Sequence, residues 1–435
     1  MELRIPDRSL VVLMGAAGSG KSTFAHRHFT PTQVLSSDAF RAMVADDPGD
    51  QTATLDAFDL LHRAVGKRLA VGRLTVVDAT NVERRAREPL VRLGRQHDVS
   101  RVAVVLALPE EVCRVRATGR VARPVEADVV RRQIELLRGA VDGLPGEGFK
   151  IVHVLSTVEE VDAARVVVEP LPNDRRADTG PFDVIGDVHG CRAELEELLE
   201  RLGWVLRRDA GGRAVGAWHP EGRQAVFLGD LVDRGPDVPG VLRLVMGMVD
   251  AGLALVVRGN HDDKLARALA GRAVQVRHGL AESLEQLDTE SAEFRERVRE
   301  FCAGLQPHYL LDGGRLVVAH AGLPQRFHGK ESNRVRSFAL YGDARGEVDE
   351  HGLPIRLPWY RDYHGPAMVL YGHTPVARAE WVNNTMCLDT GCVFGGSLTA
   401  LRYPEREVVS VLAHRVWSQP TSPLVPEYPE PRPLG

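Results

Sequence analysis

Hydrophobic and polar positions fall into two successive patterns of one kind along the chain. Residues 9–14 form a short apolar run that ends at Gly15, and similar runs recur at 34–35, 74–77, 102–108 and 151–155. Continuous rather than alternating hydrophobicity predicts strands covered on both faces. Between them, residues 53–70 carry Leu55, Phe58, Leu61, Val65 and Leu69 at helical spacing. Strands alternating with helices imply a parallel α/β sheet. A proline-rich polar stretch at 169–181 interrupts this pattern, and a second α/β pattern follows. Its apolar runs at 182–186, 225–228, 254–257, 315–319 and 367–371 each end in a polar cluster, and from 376 onward strands dominate. The expected organisation is therefore an α/β domain over 1–170, a linker at 171–181, a second α/β domain over 182–416, and a flexible proline-rich tail at 417–435.

The 435-residue length suits two or three domains, and 26% charged residues is ordinary for a globular chain. No apolar run approaches the ~20 residues that span a bilayer, and the amino terminus lacks a basic-then-apolar leader, so no membrane partner and a cytoplasmic location are expected. Cys113, Cys191, Cys302, Cys387 and Cys392 form no Cys-x-x-Cys pair, which favours reduced, buried thiols over a zinc or redox motif. The net charge of −4 gives no overall attraction to polyanions. Residues 84–138 depart from this, with 13 basic against 7 acidic residues, net +6. That stretch is either a local nucleic-acid contact or a solvated helix face.

The first pattern carries a phosphate-binding sequence. Residues 15–22 read Gly-Ala-Ala-Gly-Ser-Gly-Lys-Ser, directly after a predicted strand and opening a predicted helix. Gly15, Gly18, Ser19 and Gly20 let backbone N–H groups wrap phosphates, Lys21 brings positive charge to the β/γ-phosphates, and the Ser22 hydroxyl reaches Mg²⁺, with Thr23 completing the set. ATP with Mg²⁺ is the expected cofactor. Asp38, after the next strand, is placed to accept a proton from a hydroxyl substrate or to cap a helix. Asp78 ends another strand as a candidate for the Mg²⁺ shell or a structural hydrogen bond. Arg116 and Arg120 share a helix face with Arg123 just beyond, either as a lid over the triphosphate or as a solvated face. This order, with Ser-Ser-Asp-x-x-Arg at 36–41 and Asp-Ala-Thr-Asn at 78–81, resembles the kinase module of bacterial polynucleotide kinase-phosphatases and, more distantly, phage-type polynucleotide kinases. The resemblance implies a P-loop NTPase fold, transfer of the ATP γ-phosphate to a 5′-OH end, Asp38 as general base, Arg41 near the acceptor phosphate, and Arg116 and Arg120 on the phosphates.

The second pattern carries metal-ligand chemistry. Gly-Asp-Val-His-Gly at 186–190, Gly-Asp-Leu-Val-Asp-Arg-Gly at 229–235 and Gly-Asn-His-Asp at 259–262 are followed by His320 and His373, each at the end of an apolar run. Asp187 and His189 suit one divalent ion, Asn260, His320 and His373 a second, and Asp230 a bridge between them. Mixed oxygen and imidazole ligation suits Mn²⁺, Fe or Zn, and two Mn²⁺ ions are expected. Arg234 is a phosphate ligand, and His261 a general acid oriented by Asp233. The set resembles the calcineurin-type metallophosphoesterases, in their phosphoprotein-phosphatase-like branch, over about residues 180–415. An α/β sandwich is implied. His278-Gly279 and Arg336-Ser337 resemble substrate-side positions of the kinase-phosphatases, and Asp389 is either an orienting group for a ligand histidine or a turn carboxylate.

Together the two halves are similar to the bacterial polynucleotide kinase-phosphatase end-repair family. That resemblance implies phosphorylation of 5′-OH ends and metal-dependent removal of 3′/2′ or 2′,3′-cyclic phosphate on RNA or DNA ends, with RNA the expected partner and the preference between the two left open. Family members commonly add a ligase-type adenylyltransferase with a Lys-x-Asp-Gly nucleophile, and none of Lys21, Lys67, Lys150, Lys264 and Lys330 opens that motif. Healing without sealing is expected, with a separate ligase or 3′-end-modifying enzyme as partner, or a longer parent chain. Oligomeric state is open, with a homodimer among the alternatives. A Ser/Thr protein phosphatase or dinucleoside tetraphosphatase fused to a small-molecule P-loop kinase satisfies the same motifs. A non-catalytic ATP-gated module does not, since its metal ligands would have drifted.

Overall fold

The computed structural model describes residues 1–119, 125–348 and 354–420. The chain divides into two compact units, Met1–Leu171 with Lys330–Ser332, and Pro172–Gly329 with the chain from Asn333 onward.

The first unit is built on five parallel strands, β1 (Ser9–Gly15), β2 (Val34–Ser36), β3 (Thr75–Asp78), β4 (Ser100–Leu106) and β5 (Ile151–Leu155), in the order β2-β3-β1-β4-β5. The continuous apolar run of β1 has a direct physical cause. Leu10, Val12 and Met14 pack into one helix-covered layer with Leu61, Val65 and Leu69, while Val11 and Leu13 pack into the opposite layer with Phe24 and Ala25. Helix Thr54–Ala70 forms as its spacing predicts, with one change: Leu55 is 85% exposed and Ala57 joins the buried stripe instead. Ala57, Leu61, Val65 and Leu69 repeat every four residues, and Leu55 lies off that row. The apolar pattern did not reveal the parallel pairing of Glu2–Pro6 with Arg165–Glu169, because both strands are short, the first is exposed at alternate positions and the second is nowhere fully buried.

The second unit is a four-layer α/β sandwich. One sheet runs β8-β7-β6-β14-β13, from β6 (Phe182–Ile185), β7 (Gln224–Phe227), β8 (Ala254–Val256), β13 (Asp389–Thr390) and β14 (Ser397–Tyr403), with β15 (Glu407–Leu412) pairing to β14. The other holds β9 (His308–Leu311), β10 (Leu316–Ala319), β11 (Met368–Tyr371) and β12 (Thr385–Cys387) in the order β12-β11-β10-β9, edged by Trp381–Val382 and Asp174–Arg175. Side chains alternate across each strand. Val184, Val226, Val318 and Leu370 meet in the layer between the sheets, whereas Ile185 and Phe227 face helices outside the first sheet, and Val317 and Val369 face the layer outside the second. A charge is buried on the helix side of β6: Asp183 Oδ1 accepts from Arg223 Nε at 2.8 Å, and its Oδ2 accepts from Trp204 Nε1 at 2.8 Å.

Two boundary expectations need correction. Within 171–181, Asp174–Arg175 pairs in parallel with β9, so the segment is part of the second sheet rather than a free linker. The proline-rich tail begins later than 417, because Trp417 and Ser418 donate to Val393 O and Trp417 Nε1 donates to Glu194 at 2.7 Å. Residues 421–435 lie outside the described residues. The five cysteines are buried and unbridged. Among the described residues, no helix is long and apolar enough to cross a membrane.

Candidate metal centre and phosphate loop

The topology of the second unit brings its motifs together. Strands β6, β7 and β8 are parallel neighbours, so the segments after them (186–190, 228–235 and 257–262) emerge side by side. In the other sheet β10 and β11 are parallel neighbours, which puts His320 and His373 at adjacent strand ends. The carboxyl ends of parallel strands are where such sheets gather ligands.

The contacts at this point are close. His320 Nε2 lies 3.0 Å from Asn260 Oδ1, 3.0 Å from His373 Nδ1 and 3.3 Å from Asp230 Oδ2. His189 Nε2 lies 3.6 Å from Asp230 Oδ2. Asp187 Oδ2 accepts the His373 N–H at 3.1 Å, while Asp187 Oδ1 is buried without a hydrogen-bond partner. Backbone carbonyls fix the rings: His189 Nδ1 donates to Val232 O at 2.8 Å, and His320 Nδ1 donates to Leu228 O at 2.9 Å. That tautomer turns both Nε2 lone pairs toward Asp230, as metal-ligating histidines require. The site is also held in an uncommon backbone form. His189, Asp230, Asp233, Arg234 and His373 all have φ between 46° and 73°. Non-glycine residues in this region cost about 1 kcal/mol or more each and cluster at functional sites.

Electrostatics points the same way. Burial, then Asp389 and Asp230, push the Asp187 carboxyl well above its ordinary range. Burial pushes His189 down, with the Arg234 guanidinium adding to it. Burial works against the charge of Asp230, yet His320 and His261 hold its carboxyl low. Burial also raises Asp389 to about 6. Mutually repelling buried carboxylates, an orphaned carboxylate oxygen and inward imidazole lone pairs form a donor set that divalent cations fit.

Around this centre stand the candidate substrate-side groups. His261 Nδ1 donates to Asp233 Oδ2 at 2.6 Å. Ser283 Oγ donates to Asp233 Oδ1 at 2.6 Å and accepts the Asp233 N–H at 3.0 Å. Arg234 points its guanidinium at His189 Nε2 (2.7 Å) and His261 Nε2 (3.0 Å), and stacks over Phe394 at 5.2 Å. The exposed His278 sits beside this arginine, since a Cβ on Gly279 would fall 2.3 Å from Arg234 N. Arg336 pairs with Asp263 at 2.5 Å. Asp389 accepts the Gly391 N–H at 3.0 Å, as the turn-carboxylate alternative expects, and its carboxylate lies within electrostatic reach of Asp187, Asp230 and His320. Sequence reasoning missed Asp262, whose carboxylate accepts the N–H groups of Asp230, Leu231 and Gly259 at 2.8–3.0 Å. Its signal was the fourth position of the Gly-Asn-His-Asp cluster. Ser283, inside helix Leu280–Asp288, had no local signal.

Residues 180–411 match the calcineurin-like phosphoesterase family model. The chain belongs to the calcineurin-like phosphoesterase family. Calcineurin-like phosphoesterases use divalent metals. Residues 10–144 also match a model described as an AAA domain. Curated relatives align with the phosphoesterase half. The bis(5′-nucleosyl)-tetraphosphatase PrpE [asymmetrical] of Anoxybacillus flavithermus is 45% identical over 234 residues, covering 53% of this chain and 93% of the relative. The Bacillus subtilis protein of the same name is also 45% identical over 234 residues with the same coverage, and that of Oceanobacillus iheyensis is 43% identical over 238 residues, covering 54% of this chain and 93% of the relative.

In the first unit, the segment after β1 forms the expected phosphate loop. Gly18 and Gly20 take φ of 81° and 89°, and a Cβ at Gly18 would strike Cys113 O at 2.1 Å. Helix Lys21–His28 opens at Gly20, placing Ser22 and Thr23 in its first turn. Lys21 Nζ donates to Gly15 O and Ala16 O at 2.8 and 2.9 Å, folded over the loop that it would leave for phosphate. Ser19, Gly20, Thr23 and Arg116 line one cavity, where a Cβ on Gly20 would lie 4.0 Å from Arg116 Nη1. Arg120 and Arg123 lie outside the described residues. Asp38 is half-exposed in the first turn of helix Ser37–Ala45 and ion-paired to the buried Arg41. The helix N-cap is Ser36, so the capping alternative for Asp38 does not hold. Asp78 ends β3 in register with Leu13 of β1 and Ser36 of β2, on the edge that bears the loop. The arginine-rich stretch is partly neutralised: Arg87 is buried against Glu147 at 2.6 Å and Arg114 pairs with Glu111 at 2.6 Å, while Arg101 Nε is turned to the Gly148 carbonyl at 2.6 Å. Arg84, Arg85 and Arg132 line an open cleft.

Proposed function

We propose that this protein heals both ends of a broken polynucleotide, RNA above all. The first unit would phosphorylate 5′-OH ends with ATP and Mg²⁺, and the second would remove 3′/2′ or 2′,3′-cyclic phosphate with two divalent ions, Mn²⁺ by preference. One observation carries the reading: a phosphate-loop unit is joined to a phosphoesterase body that by itself accounts for 93% of the length of the tetraphosphatase relatives. A module that adds phosphate and one that removes it share a substrate naturally when each acts on a different terminus of the same strand.

Asp187 and His189 would hold one ion and Asn260, His320 and His373 the other, with Asp230 between. When bound, the pair supplies charge neutralisation and an activated water for in-line attack. The remaining roles belong to the chain itself. Arg234 presents two donors to phosphate oxygens. His261, with Nδ1 tied to Asp233, directs Nε2 at the same point and would protonate the departing oxygen. In the other unit Lys21 would exchange loop carbonyls for phosphate, Arg116 would stabilise the transferring group, and Asp38 would take the hydroxyl proton while Arg41 holds it.

A specific observation favours a second reading: 45% identity to proteins named bis(5′-nucleosyl)-tetraphosphatase. In it, the second unit cleaves dinucleoside polyphosphates and the first phosphorylates a small molecule. Incubating the full chain with RNA bearing 5′-OH and 2′,3′-cyclic phosphate ends, labelled ATP and Mg²⁺ or Mn²⁺ separates the two. Both RNA ends should be converted, with Asp38→Ala losing only 5′ phosphorylation and His189→Ala only phosphate release. Cleavage of bis(5′-adenosyl) tetraphosphate with neither RNA end touched would overturn end healing.

A further inference from the structure

The metal centre opens on one side into an aromatic pocket that none of the roles above uses. Pro358, Trp359, Tyr360, Tyr371 and Val376 line it, and His373 lines it from the metal side. Its position follows from the two strand ends that carry metal-candidate histidines. The Trp359 ring lies over Gly322, two residues past His320, where a Cβ would fall 1.9 Å from the indole. Tyr371 ends β11, two residues before His373. Trp359 meets Tyr371 edge-on at 5.3 Å, and the Tyr360 and Tyr371 rings lie within 20° of parallel at 6.2 Å. Tyr371 is buried, while Trp359 and Tyr360 remain partly exposed. The described lining contains no Lys or Arg; its acidic member is Asp343. The pocket is therefore built for a flat, uncharged group and against a second phosphate.

We propose that this pocket is a nucleobase subsite, taking the base of the nucleotide whose phosphate lies at the metal centre. The proposal rests on the phosphoesterase reading of that centre and deepens it. Polynucleotide 3′ ends and dinucleoside polyphosphates both carry a base close to the scissile phosphate, and every base has a π-face for aromatic walls. Thr374 and the Asp343 carboxylate are polar members of the lining, suited to a base's exocyclic groups.

Two measurements on the full chain test this. In the first, fluorescence of 2-aminopurine riboside, which has no phosphate, should be quenched on binding to wild type and to Tyr360→Phe. Affinity for Tyr360→Ala should be about tenfold weaker, as loss of one stacking partner implies. In the second, kcat/KM with Mn²⁺ is compared between adenosine 2′,3′-cyclic phosphate, bis(5′-adenosyl) tetraphosphate and base-free β-glycerophosphate. Tyr360→Ala should lower the nucleotide-to-glycerophosphate ratio about tenfold, chiefly through KM, and Tyr360→Phe should restore it. Whichever nucleotide shows the larger loss is the source of the base. Riboside bound equally by all three proteins, with an unmoved ratio, would overturn the subsite while leaving the phosphoesterase intact. Tyr360-dependent riboside binding without turnover of any ester would keep the pocket and sink the reading on which it rests.

Discussion

Replacing Gly372 with alanine should destroy the metal centre while leaving the phosphate-loop unit untouched. The backbone at Gly372 is not among the residues with positive φ, so alanine incurs no conformational penalty there. The effect is purely steric. An added Cβ would lie 1.9 Å from Asp187 Oδ1 and 3.0 Å from its Cγ. Restoring even a 3.0 Å contact requires Oδ1 to retreat by 3.0 − 1.9 = 1.1 Å. Ligand distances at metal sites hold within about 0.2 Å, so Asp187 could no longer serve as the ligand proposed for it. A displacement of about 1 Å at a reacting centre costs on the order of a hundredfold in rate. Overpacking adds about 1–3 kcal/mol of instability, which a two-domain protein of this size absorbs. Phosphatase kcat/KM should therefore fall at least about a hundredfold, Mn²⁺ stoichiometry by titration calorimetry should drop, and kinase turnover should hold. An alanine variant that binds two Mn²⁺ and turns over phosphoesters at the wild-type rate would show that Asp187 is not a ligand where this geometry puts it.

Three further outcomes are expected. Asp233→Asn, which disrupts the 2.6 Å bond to His261 Nδ1, should lower phosphatase kcat by about 10²–10⁴ with KM little changed; a wild-type kcat would remove the Asp233–His261 pair from proton transfer. Asp183→Ala leaves the Arg223 guanidinium, 4% exposed, with Glu405 as its remaining acid partner, and should cost about 3 kcal/mol in urea unfolding; a neutral effect would mean that the pair contributes nothing net. His308 supplies the pH dependence. Burial holds its folded value at about 3, below its ordinary 6.5, so the unfolded chain binds the extra proton between these values. Stability from this group is complete above pH 6.5 and lost as pH falls toward 3, at most about 5 kcal/mol over 3.5 units. His308→Gln should flatten the acid limb of the stability curve, and an unaltered slope would refute the assignment.

Much of the architecture was legible because its determinants are local. A strand buried on both faces must be apolar throughout, so β1 and β4 stand out, as do the runs that end in Asp187, Asp230 and His320. The phosphate loop and metal motifs were legible for a related reason: glycine and ligand spacing is set by backbone geometry within a few residues. The features that stayed hidden depend on partners distant in sequence. Glu2–Pro6 becomes a strand only by pairing with Arg165–Glu169, about 160 residues on, and Asp174–Arg175 only by pairing with β9. Ser283 supports Asp233 across 50 residues, and the Trp359–Tyr371 wall forms where two strand ends converge.

The same distinction explains why the substrate is harder to read than the chemistry. The set Asp187, His189, Asp230, Asn260, His320 and His373 would serve two cations whatever the rest of the substrate. Nothing in that set discriminates a polynucleotide end from a dinucleoside tetraphosphate, because both present a phosphate to the metals and a base beyond it. Discrimination would come from groups that the metal chemistry does not require: Tyr360 and its neighbours in the aromatic pocket, the candidate substrate-side residues His278 and Arg336, and the phosphate-loop unit on the same chain. Substitutions at the metal ligands should therefore abolish every phosphoester reaction alike, whereas substitutions at Tyr360 should re-rank substrates. A Tyr360→Ala variant slowed equally on cyclic nucleotide, tetraphosphate and glycerophosphate would place specificity elsewhere in the chain.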